Sequence, residues 1–474
     1  MERIIIKIKQ YMKNNSDIVL RKLKTNKNEI YVIYNEVLSN SKYINENLIN
    51  RITFTILSGY ELDDLYNIIP SCSIKKITTY EEILELIFQG FTIFINSNNI
   101  IAIETREKLD RGILTSENEP SLIGPNDSFT ENFNTNLGLI RKRIRSSNLY
   151  CKSILVGKES NTKVGICYMN NICDTNIVEK IYNKIKNIDI DAIIDIGYIR
   201  EILFDNESLF PTVNITERPD NSSMALLEGK VVIIVDNSPN ALIFPSFFID
   251  FFHTPDDYYQ KSFNISFIRM IRLLSFFISV FLPSYYISVT TLNPESIPLK
   301  LLLNFYSQRL SVPFPGFIEA IIMIISFEIL RESDARTPSK VGTSISILGG
   351  LVLGSAAVEA GIVSPIMIIV IAISMISGLL FSNNSLIYPI RYFRIITLLL
   401  SAFFGLYGMF VGILFLIVKL CSINTFGYSY MLPFSPLIKT ELRDSIIKSK
   451  GKNKRLRNPL LSKNNKVRGT INEK

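Results

Sequence analysis

The chain has 474 residues, 47% of them hydrophobic and 20% charged, with a formal net charge of +8 and a mean hydropathy of +0.24. That hydropathy is too high for a soluble domain of this charge content and too low for a chain embedded in membrane throughout, and the length has room for two or three domains. The positive charge invites nucleic acid as a partner, but its distribution excludes it: residues 1–262 hold 29 basic and 34 acidic side chains, residues 263–433 ten and six, and residues 434–474 twelve and three. The basic character belongs to the tail, and the three regions carry −5, +4 and +9.

The opening MERIIIKIKQYMKN is broken up by charge, so no cleavable leader is expected. Nothing before residue 262 is long and apolar enough to insert into a bilayer. The five cysteines are odd in number and contain no CxxC pair, which points to reduced thiols. Two stretches of this half resemble one another. Gln89–Ile103 (QGFTIFINSNNIIAI) and Glu228–Ile243 (EGKVVIIVDNSPNALI) each place a glycine, Gly90 or Gly229, after a helical run, then a strand, an Asn-containing turn and a second strand. Upstream, YNEVLS at Tyr34–Ser39 matches MNNICD at Met169–Asp174, and the separations from Asn35 to Gly90 and from Asn170 to Gly229 are 55 and 59 residues. The spacing predicts two tandem, similar α/β subdomains, 1–105 and 126–245, joined by a polar linker over 106–125. The alternative is two unrelated α/β pieces that share a common hairpin.

A connector over 246–272 leads into an all-α, polytopic transmembrane domain over 273–433. Leu273–Pro294, Ala360–Ile390 and Ile395–Val418 are free of charge and each exceeds the ~20 residues that cross hydrocarbon. Phe314–Leu330, which contains Glu319 and Glu328, and the small-residue stretch Val341–Val358 are weaker spans. Lys261, Arg269 and Arg272 precede the first span, Arg391 and Arg394 the last, and the basic tail over 434–474 follows it. The positive-inside rule then places the N-terminal half and the tail together in the cytoplasm. That requires an even number of crossings, read as four plus one partial segment.

The densest chemistry lies in Leu348–Pro365, LGGLVLGSAAVEAGIVSP. Gly350 and Gly354 stand four apart on one helix side, which suits close helix packing or a path between subunits. Gly349, Gly350, Val352, Gly354, Val358 and Glu359 are the candidates for lining or gating such a path, with the valines as apolar constrictions. Glu319 and Glu328 are intramembrane acids nine residues apart, on opposite faces of one helix. Glu319 follows Pro313, Pro315 and Gly316, where a helix N-terminus favours an anion. Catalytic, cofactor-binding and metal-ligating residues are not expected: there is no GxxxxGK[ST] and no HExxH. His253, among Asp250, Asp256 and Asp257, reads as part of a solvated connector. The tail reads as a solvated, disordered end with some attraction to anionic lipid.

SLIGPNDSFTENFNTNLGLIRKRI (Ser121–Ile144), ITERPD (Ile215–Asp220), LLEGKVVIIVDNSPNAL (Leu226–Leu242), VEAGIVSPIM (Val358–Met367) and CSINTFGYSYMLPFSPL (Cys421–Leu437) together resemble the A subunit of the GerA-type spore germinant receptors. Ile324 and Ser355 depart from that family's pattern. The resemblance implies a nutrient-sensing subunit in the spore inner membrane that acts with a transporter-like B subunit and a lipoprotein C subunit. It also implies self-association into an ion-conducting channel. The rival readings are a non-conducting scaffold of the receptor and an ion-coupled secondary transporter using Glu319 or Glu359.

Overall fold

The computed structural model describes residues 2–24, 29–51, 73–96, 99–107, 116, 119–121, 123–204, 208–336, 350, 352, 354–381, 384–438, 442, 444–448, 456–462 and 465–469. The chain divides into two compact units. The first comprises Met1–Asn206, Val213–Ser246 and Lys450–Lys474, and the second Glu207–Thr212 and Phe247–Ser449.

The first unit holds two five-stranded antiparallel sheets. One is built from β1 (Ile18–Lys24), β2 (Glu29–Asn35), β3 (Ile74–Lys76), β4 (Phe91–Ile95) and β5 (Ile100–Glu104), preceded by α1 (Glu2–Met12). The other is built from β6 (Leu149–Val156), β7 (Thr162–Met169), β8 (Asn214–Thr216), β9 (Val231–Val235) and β10 (Ala241–Phe244). Their spatial orders are β1-β2-β4-β5-β3 and β6-β7-β9-β10-β8, the same path traced twice. Gly90 and Gly229 occupy the same helix-to-strand corner with φ of 86° and 95°. The hairpins read from sequence pair Phe91 with Glu104 and Val231 with Phe244.

The central strands β4 and β9 are buried along their whole length, FTIFI and VVIIV, because both faces of each sheet are covered. Phe91, Ile93 and Ile95 point to the core shared with α1 and α3 (Tyr80–Ile87), while Phe94 points to the opposite core with Ile44 and Leu48. In the second sheet, α4 (Phe133–Arg143) and α7 (Pro219–Leu227) share one core with Val232 and Ile234. Among the described residues this unit also has the short α2 (Ser41–Tyr43), continued by a π-helical turn over Ile44–Ile49, and the helices α5 (Thr175–Lys186) and α6 (Ile196–Phe204).

The two sheets are tied by a buried polar group. Arg141 of α4 donates from Nε to Asp17 Oδ2 (3.0 Å) and from Nη2 to Asp17 Oδ1 (3.2 Å) and Asn15 Oδ1 (3.1 Å). Its Nη1 reaches the Leu149 carbonyl at 2.7 Å, and Asn35 Nδ2 completes the Asp17 shell at 2.7 Å. The guanidinium also lies 4.4 Å from the Phe88 ring centre.

The basic tail departs from the sequence expectation. Leu461 is 2% exposed, and its carbonyl lies 3.1 Å from where a Cβ on Gly229 would sit. Arg457 Nε donates to the Leu227 carbonyl (3.1 Å) and Arg468 pairs with Glu228 (3.0 Å). A stretch rich in charge is docked here because one leucine is buried and two arginines find acceptors.

The second unit is helical after two 3-10 turns, Phe248–Phe252 and Pro255–Tyr258. Its helices are α8 (Ser262–Thr291), α9 (Leu299–Arg309), α10 (Gly316–Arg336), a run over 354–359, α11 (Pro365–Gly378) and α12 (Ile387–Ser422), ending in the two-residue strands β11 (Asn424–Thr425) and β12 (Tyr428–Ser429). The connector is not a solvated linker. Asp257 is fully buried, with Arg269 Nε and Arg272 Nη1 each 3.0 Å away, and Lys448 Nζ donates to its carbonyl at 2.5 Å. His253 Nε2 lies 2.6 Å from the Ser445 carbonyl.

Two helices, α8 and α12, are long and apolar enough to cross a membrane. In α12, however, Gly405 has φ 60° and ψ −141°, and the chain reverses there. Phe393 and Phe415 rings sit 5.8 Å apart, and a Cβ on Gly412 would lie 2.7 Å from Thr397 Cγ2. In a straight helix, residues 393 and 415 would be about 33 Å apart. The single span expected over Ile395–Val418 is therefore corrected to a helical hairpin. Its arms, 387–404 and 406–422, are each roughly 26 Å long at about 1.5 Å per residue. Asn293, just after α8, accepts from Leu406 N at 3.1 Å and so caps the returning arm.

Candidate functional site

The VEAGIVSPIM motif forms a tight junction between two helices. The 354–359 helix stops at Gly361, whose φ of 66° is in the left-handed region. Ile362 N donates to Ala357 O (2.9 Å) and Gly361 N to Val358 O (3.0 Å), the double bond of a Schellman C-cap. A Cβ at Gly361 would lie 3.1 Å from the Ser311 carbonyl, so the turn also packs against the loop before α10. Ser364 is the N-cap of α11, and Pro365 stands at its first position.

Glu319 is fully buried beside this junction. Its Oε2 accepts from Ser364 N (3.0 Å) and Ser364 Oγ (2.9 Å). Among the described residues its Oε1 makes no hydrogen bond, and it faces Arg309 Nε at 3.5 Å. Glu319 sits in the first turn of α10, where the sequence places it, yet the helix N-terminus that holds its charge is that of α11. The buried hydroxyl of Tyr286, which faces Ser364, belongs to the same polar group.

The structure separates the small-residue candidates. Val352 is 57% exposed, and Ser355, Ala356, Glu359 and Ala360 are exposed with it. The spacing of three, four, seven and eight residues puts them on one helix face. A Cβ on Gly350 or Gly354 would meet no atom within 4 Å. Val358 is half-buried, and Ala357 beside it packs against the core of Met323, Met367 and Ile371. Gly349 lies outside the described residues.

Glu328 belongs to a second polar group. It pairs with Arg331 one turn on and with Arg391 Nε at 3.0 Å. Near it, Arg394 is buried, with Nε donating to the Ser279 carbonyl (2.8 Å) and Nη2 to Ser279 Oγ (2.9 Å). The Ser284 hydroxyl meets Thr397 Oγ1 at 3.0 Å. Arg309, Ser364 and Ser279 are the site residues that sequence reasoning did not single out, and Arg394 was read only as a charge that orients the last span. Only Ser364, a serine directly before a proline, carried a local signal as a helix start. Among the described residues, no group of three or more His, Cys, Asp or Glu is arranged to hold a metal ion.

Comparison with known proteins follows the same lines. A family model described as Bacillus/Clostridium GerA spore germination protein matches residues 6–460. Spore germination protein KA of Bacillus subtilis is 34% identical over 473 residues, covering 98% of this chain and 87% of that protein. Spore germination protein A1 of the same organism is 32% identical over 463 residues, covering 94% and 95%. The crystal structure of the N-terminal domain of the A subunit of the Bacillus megaterium spore germinant receptor GerK3 covers 52% of this chain and 94% of that chain, at 26% identity and a TM-score of 0.39. With a match from residue 6 to residue 460 and relatives aligned over nearly their full lengths, the chain belongs to the GerA family of spore germination proteins.

Proposed function

We propose that the chain is the membrane subunit of a nutrient receptor that triggers spore germination, and that several copies assemble around the 350–360 helix to conduct ions. The observation that carries this reading is the exposed face of Val352, Ser355, Ala356 and Glu359. At membrane depth a carboxylate costs about 2.5–3.5 kcal/mol unless it meets water or a partner. Among the described residues Glu359 forms no ion pair with this chain. A face of small residues, one acid and one apolar ring former suits a wetted path closed by a constriction at Val352. Nutrient binding is assigned to a transporter-like B subunit, with a lipoprotein C subunit completing the receptor.

The hairpin at Gly405 supports a topology with both ends on the cytoplasmic side of the spore inner membrane. It returns the chain to the side it left, so Arg391 and Arg394 near the start of its first arm and Lys419 near the end of its second share one compartment with the tail. Five apolar segments, with the last doubled, then give an even number of passes without a partial one.

Replacing Val352 with Ala tests the path. Nutrient-independent germination, or spores that lose their dormancy in storage, is the expected outcome. Wild-type behaviour at normal protein level counts against it. Ion flux through the reconstituted receptor separates a channel from a scaffold.

A further inference from the structure

The turn that ends the exposed helix is held through one buried carboxylate. Glu319 binds both donors of Ser364 through Oε2, and Arg309 is its ion-pair partner among the described residues. A fully buried carboxylate needs such compensation, because removing its counter-charge leaves an unpaired ion in a low dielectric. At 3.5 Å and without a hydrogen bond, the Arg309 contact is electrostatic and geometrically loose. Arg309 closes α9, a helix with no fully buried side chain. Phe305 leans on the helical core, while Leu299, Leu303 and Tyr306 are exposed. An element seated by so few contacts is displaced more easily than the helices it touches.

We propose that Glu319 is a positioning residue for the gate. The relay Arg309–Glu319–Ser364 holds the 360–364 turn, and with it the 354–359 helix, in the arrangement seen here, and α9 is the lever whose displacement releases it. The consequence of this device rests on the channel reading above, whereas its existence rests on geometry. The test therefore needs two readouts.

In E319Q the amide oxygen still accepts from Ser364 N and Oγ, but the attraction for Arg309 is gone. In R309Q the same ion pair is lost from its other side, and R309K retains it. Nutrient-independent ion flux through the reconstituted receptor is expected to rise about tenfold in E319Q and R309Q, the equivalent of about 1.4 kcal/mol. R309K should stay at the wild-type level, and the double variant should not exceed either single one, since one ion pair is removed only once. The second readout is the labelling rate of S355C by a water-soluble maleimide in a C72S/C421S background. That rate rises in E319Q and R309Q whether or not the chain conducts. Changed labelling with no flux from any form, wild type included, sinks the channel and leaves the relay standing. Flux and labelling both at wild-type values in the single variants overturn the relay. Should E319Q fail to accumulate, R309Q alters a partly exposed residue and decides the matter by the same two readouts.

Discussion

Arg141 and Asp17 meet end-on between the two sheets of the first unit, Nε to Oδ2 at 3.0 Å and Nη2 to Oδ1 at 3.2 Å, with both side chains closed off from solvent. This pair, with Asn15 and Asn35 around it, joins the two repeats, beside the Ser16 N to Cys151 carbonyl bond and Val37, which sits in the core of the second sheet. D17A leaves the guanidinium buried without its counter-charge. It is expected to lower stability by about 3–5 kcal/mol, the cost of breaking such a pair from one side. The urea midpoint of the detergent-solubilised chain, followed by circular dichroism, measures this, and an unshifted midpoint refutes it. The double variant D17A/R141M should cost less than the two singles together.

Acid should loosen the start of the helical unit. Burial, assisted by Arg269 nearby, pushes the His253 imidazole down to about 4. Its unfolded value is near 6.5. The unfolded chain therefore takes up a proton between pH 6.5 and 4 that the folded chain refuses, and stability falls across that window. Burial also pushes the Asp257 carboxyl up, but Arg272 and Arg269 outweigh it and hold it below the ordinary value, so further loss follows as that carboxylate protonates. In H253Q the decline between pH 6.5 and 4 should flatten. An unchanged pH profile in that variant would show that the imidazole carries none of it.

The linker before α4 should respond with the opposite sign. Glu119 Oε2 accepts from Thr216 Oγ1 at 2.5 Å, and Glu217 Oε1 accepts from Glu119 N at 2.7 Å. Burial, with Glu217 nearby, raises the Glu119 carboxyl to about 7. A raised folded value means stability present below pH 4.5 and lost as pH rises through 7. E119Q removes the titration, so protease cutting of the 116–127 stretch should increase from pH 6 to pH 8 in the wild type and stay level in the variant. Parallel behaviour of the two proteins refutes this.

The reversal at Gly405 makes a topological prediction. Cysteines introduced at Tyr388 and Asn424, at the two feet of the hairpin, should react with an impermeant maleimide from the same side of the membrane. Reaction from opposite sides would rule the hairpin out as a membrane arrangement. G405L puts a side chain into Asn293 and Leu292 from a backbone that favours glycine, and loss of accumulated protein is expected. N293A removes the cap on Leu406 N together with an exposed contact to Glu295, with an expected cost of about 1 kcal/mol in thermal stability.

What the sequence made legible was local. The repeated unit showed itself because a glycine, a strand, an Asn turn and a second strand are short-range signals, and two copies at near-equal spacing reinforce each other. Arg141 did not, because IRKRI at a helix end looks like a solvated basic turn, and only the strand order buries one of its three basic side chains. Gly405 was hidden for a different reason: an unbroken apolar run suits one straight span and two folded arms equally. Gly408 and Gly412 were its only trace, small residues four apart that let the arms approach. Glu319 was visible as an acid in an apolar segment. Its partners Arg309 and Ser364, ten residues before and 45 after, depend on packing that no local pattern encodes. The same holds for His253, whose acceptor at Ser445 lies 192 residues away.

The docking of Leu461 beside Gly229 sets an order of events during synthesis. The corner between α7 and β9 is translated well before the segment that covers it, which follows every one of the apolar helices described above. The first unit thus reaches its final form only once residues 456–462 have been made, and a chain cut short at residue 455 would leave the corner at Gly229 without its cover.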